Sequence, residues 1–400
     1  MVSVEDAQHK IMKAVKRMEP RTLELPDCLR YVLAEGITSP ADVPPFDNSA
    51  MDGFALRSQD TAGAKTERPV RLRVKATVRA GDRFSLRIQE GECAKIMTGA
   101  PIPEGADSVV MIEEVDMEDR SVLIKAPVWK GDHIRPRGED IRKSEPVLEA
   151  DTQLRPQEIG VLASLGIGRV VVTRRPVVAL GTTGDELVGI DEPLPPGKIR
   201  DSNRYSLHGL ILETGSTPFE LGIIPDNRDN MERTFRSALK KSDMLVTTGG
   251  VSMGQYDLVK DVLSAIGKVE FWRVNMKPGK PLTFGTFDGK PIFGLPGNPV
   301  SSFISFELFA RPALMKMMGH QNPFRERLKA TAACPMDKQR GRAEFKRGRW
   351  RREKNELLVD LTGPQGSGIL TSLVKANCLI CLREDRGPIL AGEEVSIIPL

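Results

Sequence analysis

Asp243-Met-Leu-Val-Thr-Thr-Gly-Gly-Val-Ser-Met-Gly-Gln-Tyr-Asp257 joins a short apolar run to a glycine-rich loop that ends in a carboxylate. Met244 to Val246 suits a buried parallel strand. Gly249, Gly250 and Gly254 then let the backbone turn tightly and bring its N–H groups close to a ligand. Leu258, Val262, Leu263 and Ile266 recur on one helical face, with Gly267 placed to end the helix. The unit reads as strand, loop, helix, and a loop in that position is an anion site by geometry. The glycines alone are equally consistent with a tight turn that binds nothing, because the stretch is neither a Walker loop nor the dinucleotide fingerprint.

The segments on either side repeat the unit. From Arg175 onward, 176–181 reads as strand, about 203–214 as helix, 219–224 as strand and about 230–240 as helix. This alternation predicts a doubly wound, mostly parallel sheet with helices on both faces and ligands at the carboxyl ends of its strands. Those ends carry Thr182 to Leu187, Asp226 and Thr247 to Asp257. Beyond the strands 269–274 and 291–293 lie Asn275-Met-Lys-Pro-Gly-Lys-Pro281 and Gly294-Leu-Pro-Gly-Asn-Pro-Val-Ser-Ser302. In the second of these Asn298 is an N-cap and Pro299 a first helical residue, which leaves free N–H groups facing the pocket. Independent loops bearing Gly, Lys and carboxylates at one sheet edge select a binding site over a bare turn.

Toward the amino terminus, Ser3 and Asp6 form a capping box for a helix with Val4, Ala7, Ile11, Ala14, Val15 and Met18 on one face. Residues 22–25 read as extended, Asp27 as the N-cap of a short helix to Leu33, and 151–165 as a helix packing with the N-terminal one. Between them, 43–57 is a proline- and aspartate-rich loop whose Asx side chains suit backbone capping. Residues 70–128 are short strands with turns, including the glycine-proline loop Ile96-Met-Thr-Gly-Ala-Pro-Ile-Pro-Glu-Gly105. Past Gly319 the pattern is β again. The expected division is a discontinuous domain of 1–42 and 135–172, an inserted β domain of 43–134, an α/β domain of 173–320 and a C-terminal β domain of 321–400. The basic run Lys338 to Arg352 reads as a solvated hairpin with Phe345 and the charges on different faces. Cys378-Leu-Ile-Cys381 lacks the second pair that a zinc site needs.

Composition narrows the class. The chain has 400 residues, 40% hydrophobic and 28% charged, with 58 basic and 54 acidic side chains giving +4. That balance excludes disorder and gives no reason to expect a nucleic-acid partner, while it suits an enzyme handling oxyanions. No apolar run is long enough for a membrane span, and five scattered cysteines fit reduced thiols, so a cytoplasmic location is expected.

Asp47-Asn-Ser-Ala-Met-Asp-Gly53, Ile96-Met-Thr-Gly-Ala-Pro101, Arg137-Gly-Glu-Asp140, Thr183-Gly-Asp-Glu-Leu187, Thr248-Gly-Gly-Val-Ser252, Lys277-Pro-Gly-Lys-Pro281 and Gly294-Leu-Pro-Gly-Asn-Pro299 together resemble the molybdopterin molybdenumtransferase (MoeA) family. The resemblance runs in order from the first helix to the last strand and extends to the carboxyl domain of gephyrin. It implies an elongated multidomain subunit with a barrel-like C-terminal domain, a homodimer with the active cleft shared between subunits, and no membrane partner. It also implies insertion of molybdate into adenylylated molybdopterin, supplied by a molybdopterin adenylyltransferase, with Mg2+-dependent release of AMP. By matching position, Asp52, Thr98, Arg135 and Asp140 would come from one subunit. Glu186, Asp226, Asp257, Lys277, Lys280 and Ser367 would come from the α/β and C-terminal domains. Gly249, Gly250, Ser252, Pro296, Gly297, Asn298 and Ser301 are the further candidates for holding substrate. Glu186 and Asp257 suit magnesium, a hard cation, and the lysines suit the pterin phosphate and the oxyanion. Gln255 departs from the acid common in the family. A non-catalytic scaffold of the gephyrin type and a preference for tungstate are the alternatives.

Overall fold

The structure is a computed structural model that describes residues 1–82, 85–250 and 258–400. Its central sheet has the order Thr217–Ile224, Val177–Thr183, Met244–Thr248, Lys290–Leu295, Pro281–Phe287, Lys268–Arg273. The first four strands are parallel, and Pro281–Phe287 runs antiparallel to both of its neighbours. Alternation along the strands builds two apolar layers. Val178, Leu180, Met244 and Val246 face the Ser202–Thr214 helix and the Pro299–Ser305 segment. Ala179, Leu245 and Ile292 face Met231 and Phe235 of Arg228–Lys241 and Val259 and Val262 of Leu258–Ile266. A strand buried on both faces must be apolar at consecutive positions, as Met244-Leu-Val246 is. The strand Pro281–Phe287 escapes the sequence reading. Its signal is Asp288-Gly289, whose φ values of 49° and 78° make the two-residue turn into Lys290–Leu295.

The helix Val4–Ala14 begins where its cap residues require, with Ser3 Oγ accepting from Asp6 N–H at 2.9 Å. Its packing corrects the expectation. Val4, Ala7 and Ile11 enter the core of the α/β unit beside Phe309 and Leu314, and Met18 N–H donates to Met317 O at 2.8 Å. The second helix, Pro156–Ser164, packs instead with Leu25, Cys28 and Leu33 in a separate small core. The short helix expected after Asp27 is a single turn, Leu25–Cys28. Both segments had apolar faces, and periodicity cannot say which partner covers a face.

A six-stranded sheet of order Ser108–Met111, Gly53–Leu56, Glu92–Ile96, Val70–Val78, Ser121–Ile124, Val115–Glu118 forms the inserted β unit. At the carboxyl terminus Ala343–Glu353, Glu356–Leu361, Leu328–Ala332, Glu394–Pro399 and Cys378–Leu382 pair in succession, and the last pairs back to the first, closing a five-stranded barrel. Met276–Lys277 adds to its side in parallel with Ala343-Glu344. This junction corrects the solvated-hairpin reading of the basic run in part: Ala343–Glu353 turns back into Glu356–Leu361 with Arg349, Arg351 and Arg352 exposed, but residues 344–348 are buried. Phe345 joins the core of the α/β unit, and Arg347, two residues on, lies on the same face and is 1% exposed. Lys338 and Lys346 are buried as well.

Candidate functional site

Two cavities lie at the carboxyl edge of the central sheet. The smaller, of about 360 Å³, is walled by Thr183, Glu186, Asn203, Thr248, Gly249, Gly250, Gly297 and Asn298. The larger, of about 830 Å³, lies between the α/β unit and the barrel, and Lys277, Lys280, Asn298, Ser301, Arg342, Lys346, Arg347 and Ser367 line it. Asn298 belongs to both.

The smaller cavity exists because backbones approach closely there. Gly249 has a φ of 94°, and a Cβ on it would lie 2.0 Å from Thr183 O, so no other residue fits without displacement. Asn203 donates from Nδ2 to Thr248 Oγ1 at 3.0 Å and to Gly297 O at 2.7 Å, joining the helix Ser202–Thr214 to two strand-end loops. Thr248 Oγ1 in turn donates to Pro296 O at 2.8 Å, which ties down the buried Pro296. Asp226 N–H donates to Asp185 Oδ1 at 3.3 Å. Burial, and then the charges of Asp185 and Glu186, hold the Asp226 carboxyl above the usual carboxylate range. Like charges gathered at such an edge are relieved by a cation.

The larger cavity is electropositive. Lys277, Lys280, Arg342, Lys346 and Arg347 line it with the carboxylate of Glu344, which pairs with Lys346 at 3.1 Å. Burial alone holds the Arg347 guanidinium below its usual range. Uncompensated buried cations cost several kcal/mol unless hydrogen bonds or an anion offset them, so this lining suits a dianion. The helix end behaves differently from the expectation. Asn298 occupies the N-cap position of Pro299–Ser305 but its side chain makes no capping bond. Val300 N–H donates to Ser367 O at 3.1 Å. The segment's polar groups hold the Ser367 loop in place as well as facing the cavity.

Asp52, Thr98, Arg135 and Asp140 line neither cavity. Asp52 and Thr98 meet on two loops of the inserted unit, while Arg135 and Asp140 lie on the strand and loop that follow it. Thr98 donates its N–H and its hydroxyl to Asp52 Oδ1 at 2.7 and 2.9 Å, and these two bonds hold the Asp52 carboxyl low. Arg135 pairs with Asn48, Asp140 N–H donates to Val43 O at 3.0 Å, and Arg137 N–H donates to Asp47 Oδ1 at 2.7 Å. The Asx side chains here do cap backbone, but across neighbouring loops. Ser252, Gln255 and Asp257, together with Gly254 and Tyr256, lie outside the described residues. Sequence reading missed Asn203, whose sole signal is a polar residue in an N-terminal helical turn at the sheet edge, and Arg342, Lys346 and Arg347, whose place in the cavity, with the burial of Lys346 and Arg347, depends on the docked barrel.

Magnesium commonly uses one or two carboxylates plus substrate phosphates. Among the described residues no three His, Cys, Asp or Glu side chains form a metal cage. Glu186, which lines the smaller cavity, and Asp226, whose carboxyl feels the charge of Glu186 from the adjacent strand-end loop, fit that smaller requirement. No helix among the described residues is long and apolar enough to cross a membrane.

Comparison with known proteins accounts for this arrangement across the whole chain. Residues 2–166 match the MoeA N-terminal region (domain I and II), 179–316 the probable molybdopterin binding domain, and 329–400 the MoeA C-terminal region (domain IV). The molybdopterin molybdenumtransferase of Haemophilus influenzae is 37% identical over 100% of this chain and 98% of its own length. That of Bacillus subtilis is 35% identical over 99% and 94%. The crystal structure of the molybdopterin biosynthesis moeA protein from Pyrococcus horikoshii OT3 superposes with a TM-score of 0.86 at 33% identity, covering 100% of both chains. The chain belongs to the MoeA family of molybdopterin molybdenumtransferases, enzymes of molybdenum cofactor biosynthesis.

Proposed function

We propose that this enzyme inserts molybdate into adenylylated molybdopterin and releases AMP, in the cytoplasm and as a homodimer supplied by a molybdopterin adenylyltransferase. One observation carries the reading. Two adjoining cavities share Asn298, one edged by Glu186 near Asp185 and Asp226, the other lined by Lys277, Lys280 and Arg347. A substrate with a phosphoanhydride at one end and a metal-accepting dithiolene at the other calls for such a pair.

In this reading Lys277 and Lys280 hold the oxyanion by charge, with the Ser301 and Ser367 hydroxyls donating to its oxygens. Gly249, Gly250 and Gly297 let backbone N–H groups approach the pterin phosphate, and Asn298 marks the passage between the two compartments. Glu186 and Asp226 would hold magnesium, which supplies charge neutralisation at the phosphoanhydride when bound. Water attacks that anhydride and AMP leaves. Asp52, Thr98, Arg135 and Asp140 would complete the cleft of the partner subunit, since they line neither cavity of their own.

The test is AMP release by the purified chain given adenylylated molybdopterin, molybdate and Mg2+. Turnover that needs both ions supports the assignment. A scaffold of the gephyrin type would release no AMP, and that result would overturn it.

A further inference from the structure

The largest fully buried side chain in the structure belongs to a cation, Arg347. Among the described residues it has no carboxylate partner, and burial is the sole influence on its ionisation. Its hydrogen bonds run to one segment. The Arg347 N–H donates to Gln365 Oε1 at 2.8 Å, Nε donates to Ser372 Oγ at 3.0 Å, and Nη2 donates to Gly366 O at 3.0 Å. The Arg347 carbonyl accepts from Thr362 N–H at 3.1 Å and from Gln365 Nε2 at 3.2 Å. One residue therefore fastens both ends and the middle of 362–372.

That segment has little else to hold it. Ile369 and Leu370 are each 37% exposed and Gly366 is exposed, so apolar burial does not fix its path. Yet it carries Ser367, which lines the electropositive cavity together with Lys277 and Lys280 and accepts from Val300 N–H through its carbonyl. A planar fork with several donors in fixed directions can hold such a loop at defined points, and an ammonium cannot.

We propose that Arg347 is a positioning residue for the oxyanion compartment: it sets Ser367 and the 362–372 segment against the lysine wall and leaves its own charge uncompensated until an oxyanion enters. The inference rests on the oxyanion reading of this cavity given above. Oxyanion occupancy and order of the segment are then linked, because the anion offsets the buried guanidinium that the segment enfolds.

The experiment compares wild type with Arg347→Gln, Arg347→Lys and Ser372→Ala. Two quantities are read: the molybdate dependence of AMP release, and the rise in melting temperature on adding molybdate without the pterin substrate. Arg347→Gln is expected to raise the molybdate KM at least about tenfold while kcat at saturation stays within roughly threefold, the pattern for lost ground-state positioning. Arg347→Lys is expected not to restore the wild-type KM. Ser372→Ala keeps every charge and removes one acceptor, so a smaller rise of about threefold should appear even if Arg347→Gln fails to fold. The double variant Arg347→Gln, Ser367→Ala should bind molybdate no more weakly than Arg347→Gln alone, since the arginine acts through the serine. A wild type that melts higher with molybdate, beside variants that respond identically, would overturn the positioning role alone. Full rescue by lysine, or additive losses in the double variant, would do the same. No molybdate response in the wild type would remove the oxyanion reading itself, and this inference with it.

Discussion

Thr98 donates both its backbone N–H and its hydroxyl to one oxygen of Asp52, at 2.7 and 2.9 Å, so a single carboxylate joins two motif loops of the inserted unit. The bonded pair is exposed and makes no contribution to an apolar core. Asp52→Ala should therefore reduce AMP release at least about a hundredfold while the melting temperature changes little, as for surface sites away from buried networks. A large thermal loss with activity retained would make Asp52 a structural cap and nothing more.

Sharing of the cleft between subunits has a sharper test than oligomeric state. Asp52→Ala and Glu186→Ala subunits, each inactive alone, are mixed and allowed to exchange. If Asp52 serves its partner's cavity, each mixed dimer holds one intact site, and roughly a quarter of wild-type activity should return for random two-fold pairing. If both residues serve the same subunit, none returns.

Acid stability should carry the mark of Glu158. Its carboxylate accepts from Arg155 N–H at 2.8 Å and from the Arg155 guanidinium, and the pair lowers it from the usual 4.5 to about 2. A carboxylate lowered by folding stabilises above its unfolded value and loses that contribution as pH falls toward the folded one. Melting temperature should therefore fall between pH 4.5 and about 2. Glu158→Gln should be less stable than wild type at neutral pH, and the gap should narrow across that window. A gap independent of pH would assign the effect to packing.

Gly249→Ala places a methyl group 2.0 Å from Thr183 O at a φ of 94°. Strain and clash together should cost about 1–3 kcal/mol. The smaller cavity should lose pterin binding as its two walls separate. A variant with wild-type stability and affinity would show that the loops part freely.

The oxyanion compartment offers lysines, two arginines and hydroxyls, which respond to charge and hydrogen-bond geometry more than to the central metal. AMP release with molybdate and with tungstate should show apparent affinities within about tenfold, or roughly 1.4 kcal/mol. Sulfate is the control for a generic tetrahedral dianion. A preference of a thousandfold or more for one metal would remove the weak-selectivity argument.

The residue pattern by itself determined the parallel core of the α/β sheet and the loops at its carboxyl edge. Met244-Leu-Val246 is apolar at successive positions because both faces are covered, and glycines stand where backbones pass within contact, as Gly249 does against Thr183. Ser3 began its helix on local hydrogen bonding alone. Such features depend on neighbours in the chain, and a linear pattern records them. Tertiary structure decided the rest. Val4, Ala7 and Ile11 present an apolar face that would suit either helix-rich unit, and only the fold puts it on the α/β core. Arg347 is one of many basic residues in its run, and it becomes the buried anchor of 362–372 because barrel closure aligns it with Phe345. Desolvation is a property of what surrounds a group, and those surroundings come from segments distant in the chain.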